Sequence, residues 1–397
     1  MATFGSRLAD HKGVGPGFDT VRLVLALSVV FIHVSLLRVP SPEMALEPIL
    51  PMVPLQRWAF DFVPVPMFFA LSGFLVAASA ERLSLGQFLL NRSLRIFPAL
   101  GFQIAFTMVI LGPLLTSVPL AQYWSDPAFA RYALNIVGSI HYALPGLFLN
   151  NPEPAIVNGS LWTVPHEISC YLLLSLCVVL GLFRHRVLML LTTLGLFGIA
   201  MVVYLCELAG VRLPLHDMLT QVFVTRGAAR LVPLFLTGIV FYQYRDRIPH
   251  RLSYALAGAV AYVALAAFGS PAWLVNPIFW FLTAPIFAYG VLYAGLSPAL
   301  PVGPLRKADY SYGIYLAGFP LQQALVQLMP GLTNPALFFV LSALVAGVVA
   351  ATSWHLVEKP ILKLRRQFSV SARIHISAEP AGTAATQKAH APLTAAE

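Results

Sequence analysis

The chain reads as an all-α polytopic membrane protein with about ten transmembrane helices and both termini in the cytoplasm. Three observations predict this class. Hydrophobic residues fill 58% of the 397 positions and charged residues only 10%, with a mean hydropathy of +0.77. That composition lies far from the soluble globular range. Ten apolar segments fall at about 18–38, 60–80, 94–116, 165–183, 187–206, 227–244, 251–268, 272–295, 310–330 and 335–357, each long enough to cross a hydrocarbon layer of ~30 Å. With the N-terminus inside, eighteen of the 25 Lys and Arg residues fall on the cytoplasmic side and six outside, with Arg22 at the membrane edge. This is the positive-inside pattern. The formal net charge of +9 is therefore a topology signal, not a nucleic-acid footprint.

The first segment carries the most telling pair, Arg22 and His33, with ten residues between them. A step of eleven turns a helix roughly 1100°, about 20° past three full turns, over about 16 Å. One helix then shows both side chains on one face, the Arg near a membrane surface and the imidazole near mid-bilayer. Ionisable groups at that depth usually line a polar cavity, and a neutral imidazole in such a slot suits proton abstraction from a hydroxyl. A His bonded to a neighbouring carbonyl is the plainer reading of the same residue. Asp19 follows Pro16-Gly17 and reads as the N-cap of this helix as well as a partner for the pair. The segment lacks a small-residue cleavage site, so it is expected to stay as a first helix rather than leave as a signal peptide.

In the second segment, Met67-Phe-Phe-Ala-Leu-Ser-Gly-Phe-Leu75 places Ser72 and Gly73 at a helix crossing, where small residues serve packing. The third opens with Asn91-Arg-Ser-Leu-Arg-Ile-Phe-Pro98. Arg92 and Arg95, three apart, share a face. In a first turn they would oppose the helix dipole, an arrangement that a bound phosphate relieves; ordinary positive-inside flanking is the alternative. The loop 117–164 contains an apolar piece from Tyr132 to Leu149, interrupted by His141 and Pro145, which reads as re-entrant or interfacial. Pro165 suits a first helical position. Glu167 then lies in the first turns at the outer surface, either complementing the dipole or facing a glycan with Trp162 as stacking platform. Tyr312, Tyr315, Gln322 and Gln323 give the ninth segment a polar stripe that lines a cavity or bonds between helices.

Cys170, Cys177 and Cys206 fall inside apolar segments, which excludes a disulfide framework and any zinc spacing, so no metal site is expected. Residues 1–362 are expected to form one integral-membrane domain. Residues 363–397, rich in Ala, Thr, Ser and Pro beyond Gln367, are expected to form a disordered cytoplasmic tail.

Taken together these pieces resemble the integral-membrane acyltransferase-3 family, whose members O-acetylate bacterial surface and secreted glycans such as lipopolysaccharide, exopolysaccharide and nodulation factors. Asp19 to His33 looks like its Arg-then-ten-then-His signature. Met67 to Leu75 is similar to its Phe-Phe-x-Leu-Ser-Gly-Phe run, and Arg92 with Arg95 to its paired arginines before Phe-Pro. Ser160-Leu-Trp with Glu167, Ser311-Tyr-Gly-Ile-Tyr315 and Glu358-Lys-Pro360 fit its later motifs. The resemblance implies acyl-CoA, above all acetyl-CoA, as donor substrate with no bound cofactor. It implies Arg22 and His33 as essential, joined by Glu167 in catalysis, and the arginine pair near the donor phosphates. Asp19, Trp162 and Tyr315 are the further substrate-binding candidates. It implies a multi-pass protein of the bacterial inner membrane, with acyl-CoA, a glycan acceptor, membrane lipid and polysaccharide-synthesis machinery as partners. Two departures stand out. Many members read Tyr-Leu-Trp-His-Trp-Pro where this chain has Tyr315-Leu-Ala-Gly-Phe-Pro320, so that second His is missing. The esterase-like domain fused to some members is not expected here, nor is relay of the acyl group to a fused Ser in cis.

The leading expectation is an O-acyltransferase moving an acyl group from acyl-CoA to a hydroxyl of an exported or lipid-linked glycan. His33 would serve either as general base or as transient acyl carrier. A glycan or lipid exporter would use the same buried charges, but the chain has no paired half-repeats with matching broken helices. A non-catalytic partner of a polysaccharide synthase would need neither His33 nor the arginines.

Overall fold

The computed structural model describes residues 2–11, 13, 15–38, 63–223, 226–269, 273, 276–298 and 309–363. Helices occupy all ten apolar segments, and the described residues form no strand beyond an isolated bridge between Thr3 and Pro249. In chain order they are α1 (Phe4–Asp10), α2 (Phe18–Arg38), α3 (Pro64–Arg82) and α4 (Leu85–Leu115). Two short helices follow, α5 (Leu120–Ser125) and α6 (Pro127–Ala133), then α7 (Val164–Val179), α8 (Arg186–Leu208) and α9 (His216–Phe223). The last five are α10 (Arg226–Gln243), α11 (Leu252–Phe268), α12 (Pro277–Leu296), α13 (Ser311–Leu328) and α14 (Pro335–Lys363).

Seven helices among the described residues are long and apolar enough to cross a membrane: α2, α3, α4, α7 with its leading 3₁₀ turn, α8, α12 and α14. The apolar parts of α10 and α11 are shorter. The chain is a membrane protein. The helix α13 falls outside the seven because of its polar residues, and its packing explains why it tolerates them. From Ser311 to Ala324 nearly every side chain is buried, Gln322 and Gln323 at 0% exposure. A helix enclosed by protein on all sides can carry amides, provided other chain segments satisfy them.

Small residues set the closest helix crossings. A Cβ at Gly73 on α3 would strike the Phe235 carbonyl of α10, and one at Gly238 on α10 would strike the Ala70 carbonyl of α3. Only backbones without side chains approach that closely, which is the usual way to gain packing contact in lipid.

Several expectations need correction. The third segment begins at Leu85, where Ser84 and Gln87 form a capping box, well before residue 94. Arg92 and Arg95 are thus two to three turns inside α4, not in its first turn, so the dipole argument does not apply to them. The helix α2 begins at Phe18, which puts Asp19 inside the first turn rather than at the N-cap. Helix α1 was not anticipated. It packs Phe4, 0% exposed, against Phe241, His250 and Tyr289. Between Tyr132 and Leu149 the chain forms a helix end, a 3₁₀ turn over Leu134–Val137 and irregular backbone, too short to cross a membrane. Buried Asn135 holds that turn, bonding the Tyr132 and His141 carbonyls at 2.7 and 2.9 Å. The loop at 39–59 and the tail beyond Lys363 lie outside the described residues.

Candidate active site

Helices α2 and α13 run side by side in the same direction, and this pairing positions most of the expected site. Arg22, one turn into α2, reaches Asp309 just before α13, with Nη1 3.3 Å from Oδ2. Further along, Val30 meets α13 through Gln322, and His33 meets Phe319 with ring centroids 5.0 Å apart and planes at 82°. Both Arg22 and His33 therefore face α13, as a step of eleven requires.

Asp309 ties the first charged cluster together. Its Oδ2 also accepts from Arg95 Nη2 at 2.8 Å, and its Oδ1 accepts from Ser311 Oγ at 2.6 Å. Burial pushes this carboxyl up, but the guanidiniums of Arg95 and Arg22 outweigh it and bring it down to about 2. Arg22 bonds Asp19 Oδ1 as well, at 2.9 Å.

Beside this cluster opens a cavity of about 860 Å³, its mouth included. Arg22, Arg92 and Arg95 line it together with Glu167, Tyr171, Tyr312 and Tyr315; Phe68, Phe69 and Phe235 form an apolar wall. Tyr171 donates to Glu167 Oε1 at 2.7 Å, and the Arg92 guanidinium lies 5.9 Å from the Tyr171 ring centre. Arg95 lies 5.7 Å from the Tyr312 ring centre. Glu167, in the first turn of α7, therefore shares the cavity with the three arginines. The lining combines guanidiniums with apolar side chains, which suits a molecule with an anionic head and a less polar arm.

Three expected residues, Asp19, His33 and Trp162, lie outside the cavity lining. His33 lies deeper along α2. The hydroxyl of Tyr315, which lines the cavity, pairs with Thr163 Oγ1 at 2.9 Å and the Ser160 carbonyl at 3.3 Å. Trp162 is also absent from the lining, and its ring already carries Arg230, whose guanidinium carbon is 4.6 Å from the centroid. One face of the indole thus already carries a side chain.

The polar stripe of α13 divides by depth. Tyr312 and Tyr315 line the cavity, while Gln322 bonds α2 and Gln323 holds the loop before α7. The sequence reading missed Asp309, Tyr171 and Thr163. The carboxylate of Lys307-Ala-Asp309 looked like part of a charged loop. Tyr171 sits four residues after Glu167, the i,i+4 spacing that signals contact on a helix. No cluster of three or more His, Cys, Asp or Glu among the described residues could hold a metal.

The acyltransferase-3 family, described as an acyltransferase domain, matches residues 16–354, a stretch that includes every residue of this site. An O-acetyl transferase of Shigella phage Sf6 is 28% identical over 362 residues, covering 87% of this chain and 95% of the relative. Nodulation protein 10 of Rhizobium leguminosarum bv. viciae is 27% identical over 386 residues, 91% of this chain and 96% of that protein. No solved structure matches. With a match that runs from the start of α2 into the last turns of α14, the chain belongs to the acyltransferase-3 family and is an acyltransferase.

Proposed function

We propose that this protein is an O-acyltransferase of the bacterial inner membrane that moves an acyl group, acetyl in the first instance, from acyl-CoA to a hydroxyl of an exported or lipid-linked glycan. One observation carries the donor assignment: Arg22, Arg92 and Arg95 line a single cavity, and Arg22 shares a face of α2 with His33. CoA has anionic phosphates at one end and a long flexible arm ending in the thioester. Its phosphates would meet the guanidiniums, while the arm would lie against Phe68, Phe69 and Phe235. A span of about 16 Å along the helix then separates the phosphate end from the imidazole. The O-acetyl transferase name of the phage relative supports acetyl transfer.

In this reading His33 takes the proton of the acceptor hydroxyl. The alkoxide oxygen attacks the thioester carbonyl, a C–O bond forms, the C–S bond breaks, and the proton passes to the departing thiolate. Glu167, through Tyr171, holds Arg92 toward the donor. The ten helical segments would all span, with both termini in the cytoplasm, so that the arginine end of the cavity opens toward cytoplasmic CoA and the acceptor enters from the far side. Glycan-synthesis machinery is the natural supplier of that acceptor.

The test is acyl content of cell-surface glycan together with acetyl-CoA thioester loss in membranes, comparing wild type with His33→Ala. Loss of both activities in a variant that still inserts and folds is expected. Wild-type acyl content in His33→Ala cells would refute the assignment, and thioester consumption also separates an enzyme from an exporter.

A further inference from the structure

Two buried polar atoms near the middle of the α2–α13 pair have no hydrogen-bond partner among the described residues: His33 Nδ1 and Gln322 Oε1. They are complementary. One is a ring nitrogen that can carry a proton, the other an amide oxygen that only accepts. They belong to side chains that interact with each other.

The surroundings fix the amide. Gln322 is 0% exposed, and its Nε2 donates to the Val30 carbonyl at 2.9 Å. That bond sets which end of the amide is nitrogen, a choice the free rotation of a glutamine leaves open elsewhere. Val30 and His33 are three apart, on one face of α2. An amide pinned to the first is therefore held beside the second. Gly318, one turn earlier on α13, makes the approach possible: a Cβ there would come within 2.8 Å of Val30 Cγ2. The edge-to-face contact with Phe319 limits the positions open to the ring, so rotation about the imidazole's own axis is the freedom left for Nδ1 to meet Oε1.

We infer that Gln322 is the orienting partner of His33, its Oε1 accepting from Nδ1–H so that Nε2 is the unprotonated nitrogen presented to the acceptor hydroxyl. The inference rests on the reading of His33 as the base. An acceptor-only oxygen forces the Nδ1–H tautomer, and the other ring nitrogen then holds the lone pair that abstraction needs. A neutral amide does this without adding a charge beside the imidazole at mid-membrane. Gln322 touches no reacting atom in this scheme and is a positioning residue.

The test uses the full-length protein in nanodiscs, labelled with ¹⁵N-histidine, with the His33 signal identified by its loss in His33→Asn. The wild type should show the Nδ1–H tautomer. Gln322→Met, similar in shape but without the acceptor, should lose that preference, and glycan acylation should fall by about 10- to 100-fold while acetyl-CoA affinity stays as in wild type. Gln322→Glu keeps an acceptor oxygen and should keep the tautomer, and it serves if the Met variant does not fold. An unchanged tautomer in Gln322→Met, or its loss in Gln322→Glu, would overturn the inference. Active His33→Asn would instead remove the base assignment, an outcome readable apart from the tautomer.

Discussion

At the residue scale, the site is built on charge balance. Asp309 stands between Arg22 and Arg95, and Asp19 flanks Arg22 from within its own helix. Because these guanidiniums pull the Asp309 carboxyl down to about 2, it remains ionised at any working pH. Its folded value lies below the unfolded one, so it stabilises the fold above the ordinary carboxylate range and loses that contribution as pH falls toward about 2. Only mutation neutralises it near pH 7. Asp309→Asn should lower the melting temperature of the purified protein, at a cost of about 1–3 kcal/mol given that the three side chains keep 20–28% of their surface exposed. Acetyl-CoA, itself anionic, should narrow that gap by supplying negative charge to the same guanidiniums. Equal melting with and without the substitution would mean that the cluster is idle. Arg22→Lys should also lose most activity, because a point-charge ammonium does not replace the planar guanidinium that this account sets against the donor. Full acylation by that variant would reduce Arg22 to a marker of the membrane edge.

At the scale of elements, α13 organises the molecule although its hydropathy is too low to mark it as a span. Its Gln323 donates to the Glu153 and Ile156 carbonyls at 2.7 and 2.8 Å and accepts from Asn151 at 2.8 Å. Asn158 in turn donates to the Leu316 carbonyl at 2.9 Å. These bonds fasten the irregular loop that leads into Trp162 and Glu167. Gln323→Leu should leave the part-buried Glu153 and Ile156 carbonyls without their donor, each worth about 1–3 kcal/mol, while Asn151 keeps its bond to the Gln323 backbone carbonyl. Limited proteolysis should then cut between 148 and 158 faster than in wild type; an unchanged digestion pattern would show that the loop holds itself. The comparison with sequence is clearest at this scale. Long apolar runs are legible because lipid demands them, and Pro165 and the eleven-residue step on α2 held where expected. What sequence could not show was depth. Glu167 and Arg92 belong to helices that enter the bundle from opposite ends of the reading, and only packing of α4 against α7 brings them into one cavity. The start of α4 was misplaced because Ser84 to Arg95 is polar enough to resemble a loop, while its capping box marks a helix. Nothing local in sequence announces that Arg230, far along the chain, covers one face of the Trp162 ring.

At the scale of the whole molecule, the account joins a cationic cavity at one end of the α2–α13 pair to an imidazole near its middle. The tail from Gln367 onward has no place in this scheme. Lys359, Lys363, Arg365 and Arg366 already supply the positive flank of the last helix. A chain ending at Arg366 should therefore insert at normal levels and acylate as wild type. Lost activity at an unchanged protein level would give the tail a docking role.

The central claim is that one cavity holds the donor by its phosphates while His33 takes the proton of the acceptor hydroxyl that attacks the thioester. Equilibrium binding of acetyl-CoA to the full-length protein in nanodiscs, across a salt series, tests it most directly. Arg92→Ala and Arg95→Ala should each weaken binding by about 10- to 150-fold, the worth of a charge-assisted hydrogen bond, and should flatten the salt dependence. His33→Ala should bind as wild type yet fail to turn over. Donor affinity unchanged in both arginine variants would contradict the account and leave those guanidiniums as topology signals.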